Sequence, residues 1–406
     1  MIAVRPVQMN NKVIFAAAGN GKTYSICSQA RSVVSCGNKC ALLISYTNQG
    51  VHALESEYKK QNYGVLDEKI VIKSWYSFLL SEFIKPYQCT LKLKDKRGKK
   101  EYPVTFPENF VTSIAFYETE PPPRYFNQTH VQYFVNRHGD ISPDRTSHLA
   151  YLCNEHSGGK VVTRMEEIYS HIFIDELQDY AGWDLEIIRL LFESKIQVSC
   201  VGDYKQATYR TNNSPKNRQY RDENIRKYFT ALEQRRLCTV SYENTTRRFH
   251  QEICDFINTI HNDADSIVFP DPMVNQKEQP DNIGVYLIEP QYLSKYCEYY
   301  KPIILRYAKN SKIDFNHECE IINYGGSKGA TYNRVLIIPV STVLPFIKGQ
   351  SLITSNQTRS KFYVACTRAK HSVAFAVSNP KESKVFRSVE IKVGDIIIPA
   401  FKFVTG

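Results

Sequence analysis

Residues Val13 to Thr23 read Val-Ile-Phe-Ala-Ala-Ala-Gly-Asn-Gly-Lys-Thr. An apolar run of β-branched and aromatic residues gives way to small residues and closes on Gly-Lys-Thr. The order reads as a buried strand, a loop that cradles phosphate, and the start of a helix. Ala16 stands where a Gly is usual, and Gly21, Lys22 and Thr23 close the loop at P-loop spacing. Gly19 and Gly21 allow backbone N–H groups to turn inward around phosphate oxygens, with Ala17, Ala18 and Asn20 completing the cradle. The helix that follows points its positive end at the same anion. Lys22 is expected to reach the β- and γ-phosphates of a bound triphosphate, and the Thr23 hydroxyl to ligate Mg²⁺.

The remaining composition sets bounds. A chain of 406 residues exceeds one ordinary core, so two or three domains are expected. No apolar run approaches the roughly 20 residues that span a bilayer. Met-Ile-Ala-Val-Arg-Pro lacks the apolar core of a signal peptide, so a cytoplasmic location away from membranes is expected. Eleven scattered cysteines without C-x-x-C spacing then read as reduced thiols. A formal charge of +11 points to a polyanionic partner, most simply nucleic acid.

Along the first eighty residues strands alternate with helical segments. A helix from Thr23 to about Ser35 is followed by strands over Cys40–Ser45 and Lys69–Lys73. This pattern predicts a parallel sheet with helical crossovers, and ligand contacts at the carboxyl ends of its strands. Residues 81–160 change character. They carry the basic run Lys92-Leu93-Lys94-Asp95-Lys96-Arg97-Gly98-Lys99-Lys100, the break Pro121-Pro122-Pro123, and dispersed His130, His138, His148 and His156 near Cys153. The histidine spacings fit no regular zinc motif. Sheet patterning resumes at His171-Ile172-Phe173-Ile174, which delivers Asp175 and Glu176 to a strand end, and again at Gln197 to Val201, which leads into Gly202-Asp203-Tyr204-Lys205-Gln206. From about Gln234 further strands are predicted over Cys238–Tyr242, Ile283–Glu289, Ile303–Tyr307, Glu320–Tyr324, Arg334–Ile338 and Val373–Val377, with a terminal hairpin after Phe386.

A P-loop needs a second site to complete a metal–phosphate centre. Asp175 is suited to hold Mg²⁺ and Glu176 to polarise an attacking water. The Gln206 amide, at the end of the next strand, is suited to sense a γ-phosphate.

Together these motifs resemble a superfamily 1A helicase of the UvrD/Rep type, in the family's order. Ala16–Thr23 resembles motif I, Ser45-Tyr46-Thr47-Asn48-Gln49 motif Ia, and Ser74-Trp75-Tyr76-Ser77-Phe78 motif Ib. Asp175-Glu176-Leu177-Gln178-Asp179 resembles motif II, and Gly202 to Tyr209 motif III. Arg248 with Ile253 and Asn258 resembles motif IV, Gly326-Ser327-Lys328-Gly329 motif V, and Tyr363 to Lys370 motif VI. The resemblance implies an α/β architecture of two RecA-like parallel-sheet domains. Residues 1–80 with 161–233 would form the first, 81–160 an inserted subdomain, and 234–406 the second. It implies ATP and Mg²⁺ as ligands. Arg248 and Arg368 would act as arginine fingers, and Arg247 and Gly329 would lie at the nucleotide. Single-stranded DNA, with or without adjoining duplex, would be held at Thr47, Asn48, Trp75, Tyr76 and Tyr209. The implied activity is ATP-driven movement on single strands, 3′→5′. Short relatives accompany nucleases in antiphage defence, which implies an alternative: a nucleotide-gated subunit controlling a partner nuclease.

The sequence departs from the family at its base-reading positions. Gln8 stands closer to Lys22 than the family's upstream Gln. Arg247 replaces the Tyr before the motif IV Arg, and Ala330-Thr331 follows Gly329 where Leu-Glu is usual. Weak discrimination for adenine is therefore expected. The segment between Asn258 and Asn323 is also too short for the family's large second-domain insertion.

Overall fold

The structure is a computed structural model and describes residues 10–97, 99–103, 111–114, 126–136, 138–208, 214–274, 280–309 and 311–405. Gln8, Tyr209 and Pro121-Pro122-Pro123 lie outside the described residues. The chain divides into two compact units. The first runs to Ser241 without residues 15–21 and 203–209; the second takes those two segments and everything from Tyr242 onward.

In the sheet of the first unit, strands β1 (Lys12–Ala16, whose last two residues count with the second unit), β2 (Cys40–Ser45) and β3 (Ile70–Ser74) come first in the chain. An insertion follows, with the hairpin β4 (Lys94–Arg97) and β5 (Lys100–Pro103) and the short parallel pair β6 (Ser113–Ile114) and β7 (Asp140–Ile141). Then come β8 (Tyr169–Ile174), β9 (Gln197–Gly202) and β10 (Thr239–Glu243). The main sheet has the order β10-β1-β9-β8-β2-β3. β2 pairs in parallel with β3 and β8, and β8 with β9. The helices supply the required crossovers. Lys22–Cys36 buries Ile26, Cys27, Ala30 and Val34, one helical face, against Ala41, Leu43 and Phe173 of the sheet. Asn48–Gln61 is started by Thr47, whose hydroxyl accepts from Gly50 N at 3.1 Å.

One strand differs from the sequence expectation. The pattern assigns residues 238–242 to the second domain, yet β10 is an edge of the first sheet. Asn11 is the reason. Its carbonyl accepts from Thr239 N at 2.9 Å, and its amide donates to Leu237 O and Phe192 O, both at 2.9 Å. The alternation that marks a strand does not say which sheet it joins.

The second unit opens with the short parallel pair β11 (Thr245–Thr246) and β12 (Phe269–Pro270). Its seven-stranded sheet comprises β13 (Gly284–Ile288), β14 (Ile303–Arg306), β15 (Ile321–Asn323), β16 (Tyr332–Ile338), β17 (Ala369–Ala376), β18 (Phe386–Val393) and β19 (Ile396–Phe403), in the order β15-β14-β16-β17-β13-β19-β18. β13 to β17 pair in parallel, and the terminal hairpin adds on antiparallel through β19 against β13. Both faces of this sheet are covered, which fits its near-continuous apolar strands.

A buried carboxylate helps to fasten the insertion to the first sheet. Residues Leu79–Ile84 form a π-helical turn that turns Glu82 inward. Glu82 meets Lys73 at 2.5 Å and Arg164 at 3.0 Å, and accepts from the Tyr169 hydroxyl at 3.2 Å. Burial alone would raise its pKa. The hydrogen bonds and charges of Lys73 and Arg164 outweigh that, and the carboxyl is held below its ordinary value of 4.5. A group depressed in this way stabilises the fold above its unfolded pKa and loses that contribution as pH falls through the folded value. Glu82→Gln should lower the unfolding free energy by about 1–3 kcal/mol at neutral pH, discounted for the exposure of Arg164. The gap between variant and wild type should close on acidification below about pH 4. Urea midpoints at the two pH values check this; an equal gap at both would contradict it.

Candidate nucleotide site

The loop after β1 has the geometry its glycines predict. Gly19 and Gly21 have φ of +78° and +98°, a region that side chains rarely adopt. A Cβ on Gly19 would lie 2.5 Å from the Cβ of Arg248 and 2.7 Å from the Thr246 hydroxyl. The loop is braced along its length by the segment leading to Arg248. Ala17 N donates to Glu243 O at 2.8 Å, Thr246 Oγ1 to Ala18 O at 2.7 Å, Arg247 N to Gly19 O at 3.0 Å, and Asn20 Nδ2 to Thr245 O at 3.0 Å.

Lys22 and Thr23 open the following helix in the first unit. There Thr23 Oγ1 donates to Asp175 Oδ2 at 3.1 Å, joining the helix start to the end of β8. Asp175 is buried, and its carboxyl is pushed up to about 6, by burial first and then by the charge of Glu176, against the pull of Lys22 and Thr23. A carboxylate so placed gains from a cation beside it. With one hydroxyl and one acid, these residues fit Mg²⁺, which keeps several waters and takes its other ligands from phosphate. Glu176 has φ of +55°, strained for a residue with a side chain, and its carboxylate accepts from the Gln178 amide. The strain turns the acid out of the strand direction and the amide fixes it there.

In the second unit Gln206 and Arg368 meet. Gln206 Nε2 donates to Asp203 Oδ2 at 2.8 Å, which fixes the amide so that its oxygen accepts from Arg368 Nη2 at 3.1 Å. Arg368 is 1% exposed. Its other donors reach Val364 O at 2.9 Å, Thr367 Oγ1 at 3.0 Å and Ala330 O at 3.3 Å, so a buried guanidinium is hydrogen-bonded all round. Through Ala330 it is tied to the loop of Gly329, which is exposed with φ of +84°. Arg248 Nη1 donates to Thr367 O at 2.8 Å, so both arginines are bonded around one residue, Thr367. Arg247 is exposed and forms a 3.5 Å ion pair with Asp271.

The candidate strand-binding residues divide. Thr47 and Asn48 are exposed at the carboxyl end of β2. Tyr76 is half-buried, its hydroxyl 3.0 Å from that of Tyr46. Trp75 is fully buried, which corrects the expectation that it stacks a base. Its indole N–H donates to Asp184 Oδ1 at 2.8 Å, and its ring packs edge-on against Tyr180 at 4.8 Å. The same N–H lies 3.3 Å from the Ser147 hydroxyl in the inserted helix Pro143–His156, so the buried ring ties that helix to the first unit's core. Of the dispersed histidines, His148 stacks on Trp183 and His130 pairs with Glu101. No group of three or more His, Cys, Asp or Glu side chains is placed to hold a metal among the described residues.

Thr246, Asp203 and Asp184 have structural roles at these sites that the sequence did not single out. The partners of Thr246 and Asp184 lie far away in the chain, and only the Gly-Asp-x-x-Gln frame hinted at Asp203.

A parallel sheet with a P-loop at one strand end, an Asp-Glu pair at another, and a second parallel sheet carrying the arginines defines a RecA-like P-loop fold. Residues 81–218 match the UvrD/REP helicase N-terminal domain. No curated protein matches. Among solved structures, the "Complex structure of Arterivirus nonstructural protein 10 (helicase) with DNA" is similar, at 13% identity and a TM-score of 0.44, covering 92% of this chain and 62% of that chain. This chain thus spans less than two thirds of that one. Residues 81–218 thus carry a UvrD-type domain match, and the motif series along the chain resembles the same family.

Trp75→Phe keeps an aromatic ring and removes the indole donor to Asp184. The variant should lose about 1–3 kcal/mol of stability and keep its affinity for single-stranded DNA. Thermal melts and fluorescence anisotropy read the two quantities separately; weaker DNA binding at unchanged stability would return Trp75 to the strand path.

Proposed function

We propose that the chain is an ATP-driven DNA translocase that moves 3′→5′ on single strands and opens duplex ahead of it. The observation that supports this reading most is the buried contact between Gln206 and Arg368, because it joins two groups suited to read a γ-phosphate. In this reading the P-loop and Lys22 bind the phosphates. Thr23 and Asp175 hold Mg²⁺, which when bound screens the charge on the β- and γ-oxygens. Glu176 takes the proton of the attacking water. Arg248 and Arg368 stabilise charge that develops on the γ-phosphate, and Gln206 reports its loss. Thr47, Asn48, Tyr76 and Tyr209 contact the strand. The domain match supports DNA as the substrate.

The test is steady-state ATP hydrolysis with and without single-stranded DNA. Stimulation by DNA that Lys22→Ala and Glu176→Gln both reduce about 100-fold or more is expected. Negligible turnover with intact ATP binding would favour the gated subunit acting on a partner nuclease.

The basic stretch that leads into and forms the hairpin of β4 and β5 is a further strand-binding element in this reading, since Lys92, Lys99 and Lys100 are exposed. Replacing these three by Gln should lower the slope of log affinity against log salt by about 0.7 for each phosphate that the hairpin ceases to neutralise. An unchanged slope would remove the hairpin from the DNA path.

A further inference from the structure

The frame Gly202-Asp203-x-x-Gln206 leaves two positions open, and Tyr204 and Lys205 fill them. Both are buried, Tyr204 to 4% and Lys205 to 3% exposure. Burying an ammonium is costly unless it is hydrogen-bonded, and a lysine at a turn can ordinarily reach water. Its burial one residue before Gln206 needs a reason.

Both side chains are anchored on one short segment of the same unit. Lys205 Nζ donates to Ser266 O at 2.7 Å. The Tyr204 hydroxyl donates to Asp263 Oδ2 at 2.7 Å and lies 2.6 Å from Ser266 Oγ. That segment is itself fixed. Asn258, on the helix Gln251–His261, donates to Val268 O and accepts from Val268 N, both at 2.8 Å. At the other end of the clamp, Asp203 gathers the turn. One of its carboxylate oxygens accepts from Lys205 N at 3.1 Å, and the other from the Gln206 amide. A continuous set of hydrogen bonds thus leads from the 263–268 segment through Tyr204 and Lys205 to Gln206, and on to Arg368.

We propose that Tyr204 and Lys205 are positioning residues that clamp this turn, hold the Gln206 amide in register with the Arg368 guanidinium, and so set how strongly the protein prefers a nucleoside triphosphate to the diphosphate. Both act through Gln206. The proposal rests on the reading of Gln206 and Arg368 as groups that sense the γ-phosphate. Its physical ground is preorganisation. An amide on a fixed turn loses little freedom on meeting a phosphate oxygen, whereas a loosened turn has to be ordered, and affinity falls. A diphosphate lacks the γ-phosphate, so its binding does not depend on the clamp.

Calorimetric titration of the full chain with a non-hydrolysable ATP analogue and with ADP tests it. Lys205→Met keeps the length of the side chain and removes the ammonium. Tyr204→Phe keeps the ring and removes the hydroxyl, and as the milder change it preserves the test if the lysine variant does not fold. Each should weaken the analogue about fivefold or more and leave ADP within about twofold. Lys205→Met combined with Gln206→Ala should bind the analogue no more weakly than Gln206→Ala alone, because the clamp acts only through that amide. Thermal melts run alongside: a lower melting temperature with an unchanged analogue-to-ADP ratio would make the two residues merely structural and overturn the proposal. So would equal weakening of both nucleotides, or additive losses in the combined variant. If Gln206→Ala itself leaves analogue binding unchanged, the γ-phosphate reading fails and the proposal with it. If Gln206→Ala weakens the analogue while Lys205→Met and Tyr204→Phe do not, the proposal alone fails.

Discussion

The structure depends on how one backbone segment, Glu243 to Arg248, is hydrogen-bonded along the P-loop. Peptide planes are rigid, so engaging the carbonyls of Ala18 and Gly19 from one side turns the N–H of Gly19 to the other. That is how a short loop of small residues becomes an anion nest. The same brace explains why residue 19 must be glycine. Its φ is positive, and Arg248 and Thr246 pass where a side chain would stand. It also means that the segment carrying Arg248 is positioned by the loop itself. A shift of the loop is felt at Arg248 through four hydrogen bonds rather than through a flexible linker.

The acidic and basic parts of the chemistry are held by different means. Asp175 and Glu176 are disfavoured as a charged pair, with Asp175 raised to about 6, and gain when a cation arrives. Arg368 is already hydrogen-bonded to carbonyl, hydroxyl and amide oxygens. Engaging a phosphate oxygen would then compete with its bond to Gln206. In the proposed function such competition would give the pair two arrangements, and a two-state element is what coupling between nucleotide and strand requires.

Much of this was legible in the sequence because it rests on local chemistry. Gly19, Gly21 and Lys22 follow an apolar strand, and Asp175-Glu176 ends another; both are visible within short stretches of chain. What was not legible depends on distant partners. Trp75 reads equally as a base-stacking ring or a core ring, and only Asp184, 109 residues away, decides for the core. β10 has the alternation of a strand, but Asn11 decides which sheet it joins. The π-helical turn at Leu79–Ile84 has no composition signal; it follows from Glu82 reaching Lys73 and Arg164 at once.

The central claim is that nucleotide state and grip on the strand are coupled. The direct measurement is the affinity for single-stranded DNA of the protein alone, with ADP, and with a non-hydrolysable ATP analogue. The account predicts affinities that differ among the three states by about 5-fold or more, and that converge in Gln206→Ala and Arg368→Ala proteins. One affinity in all three states of the wild type would contradict it.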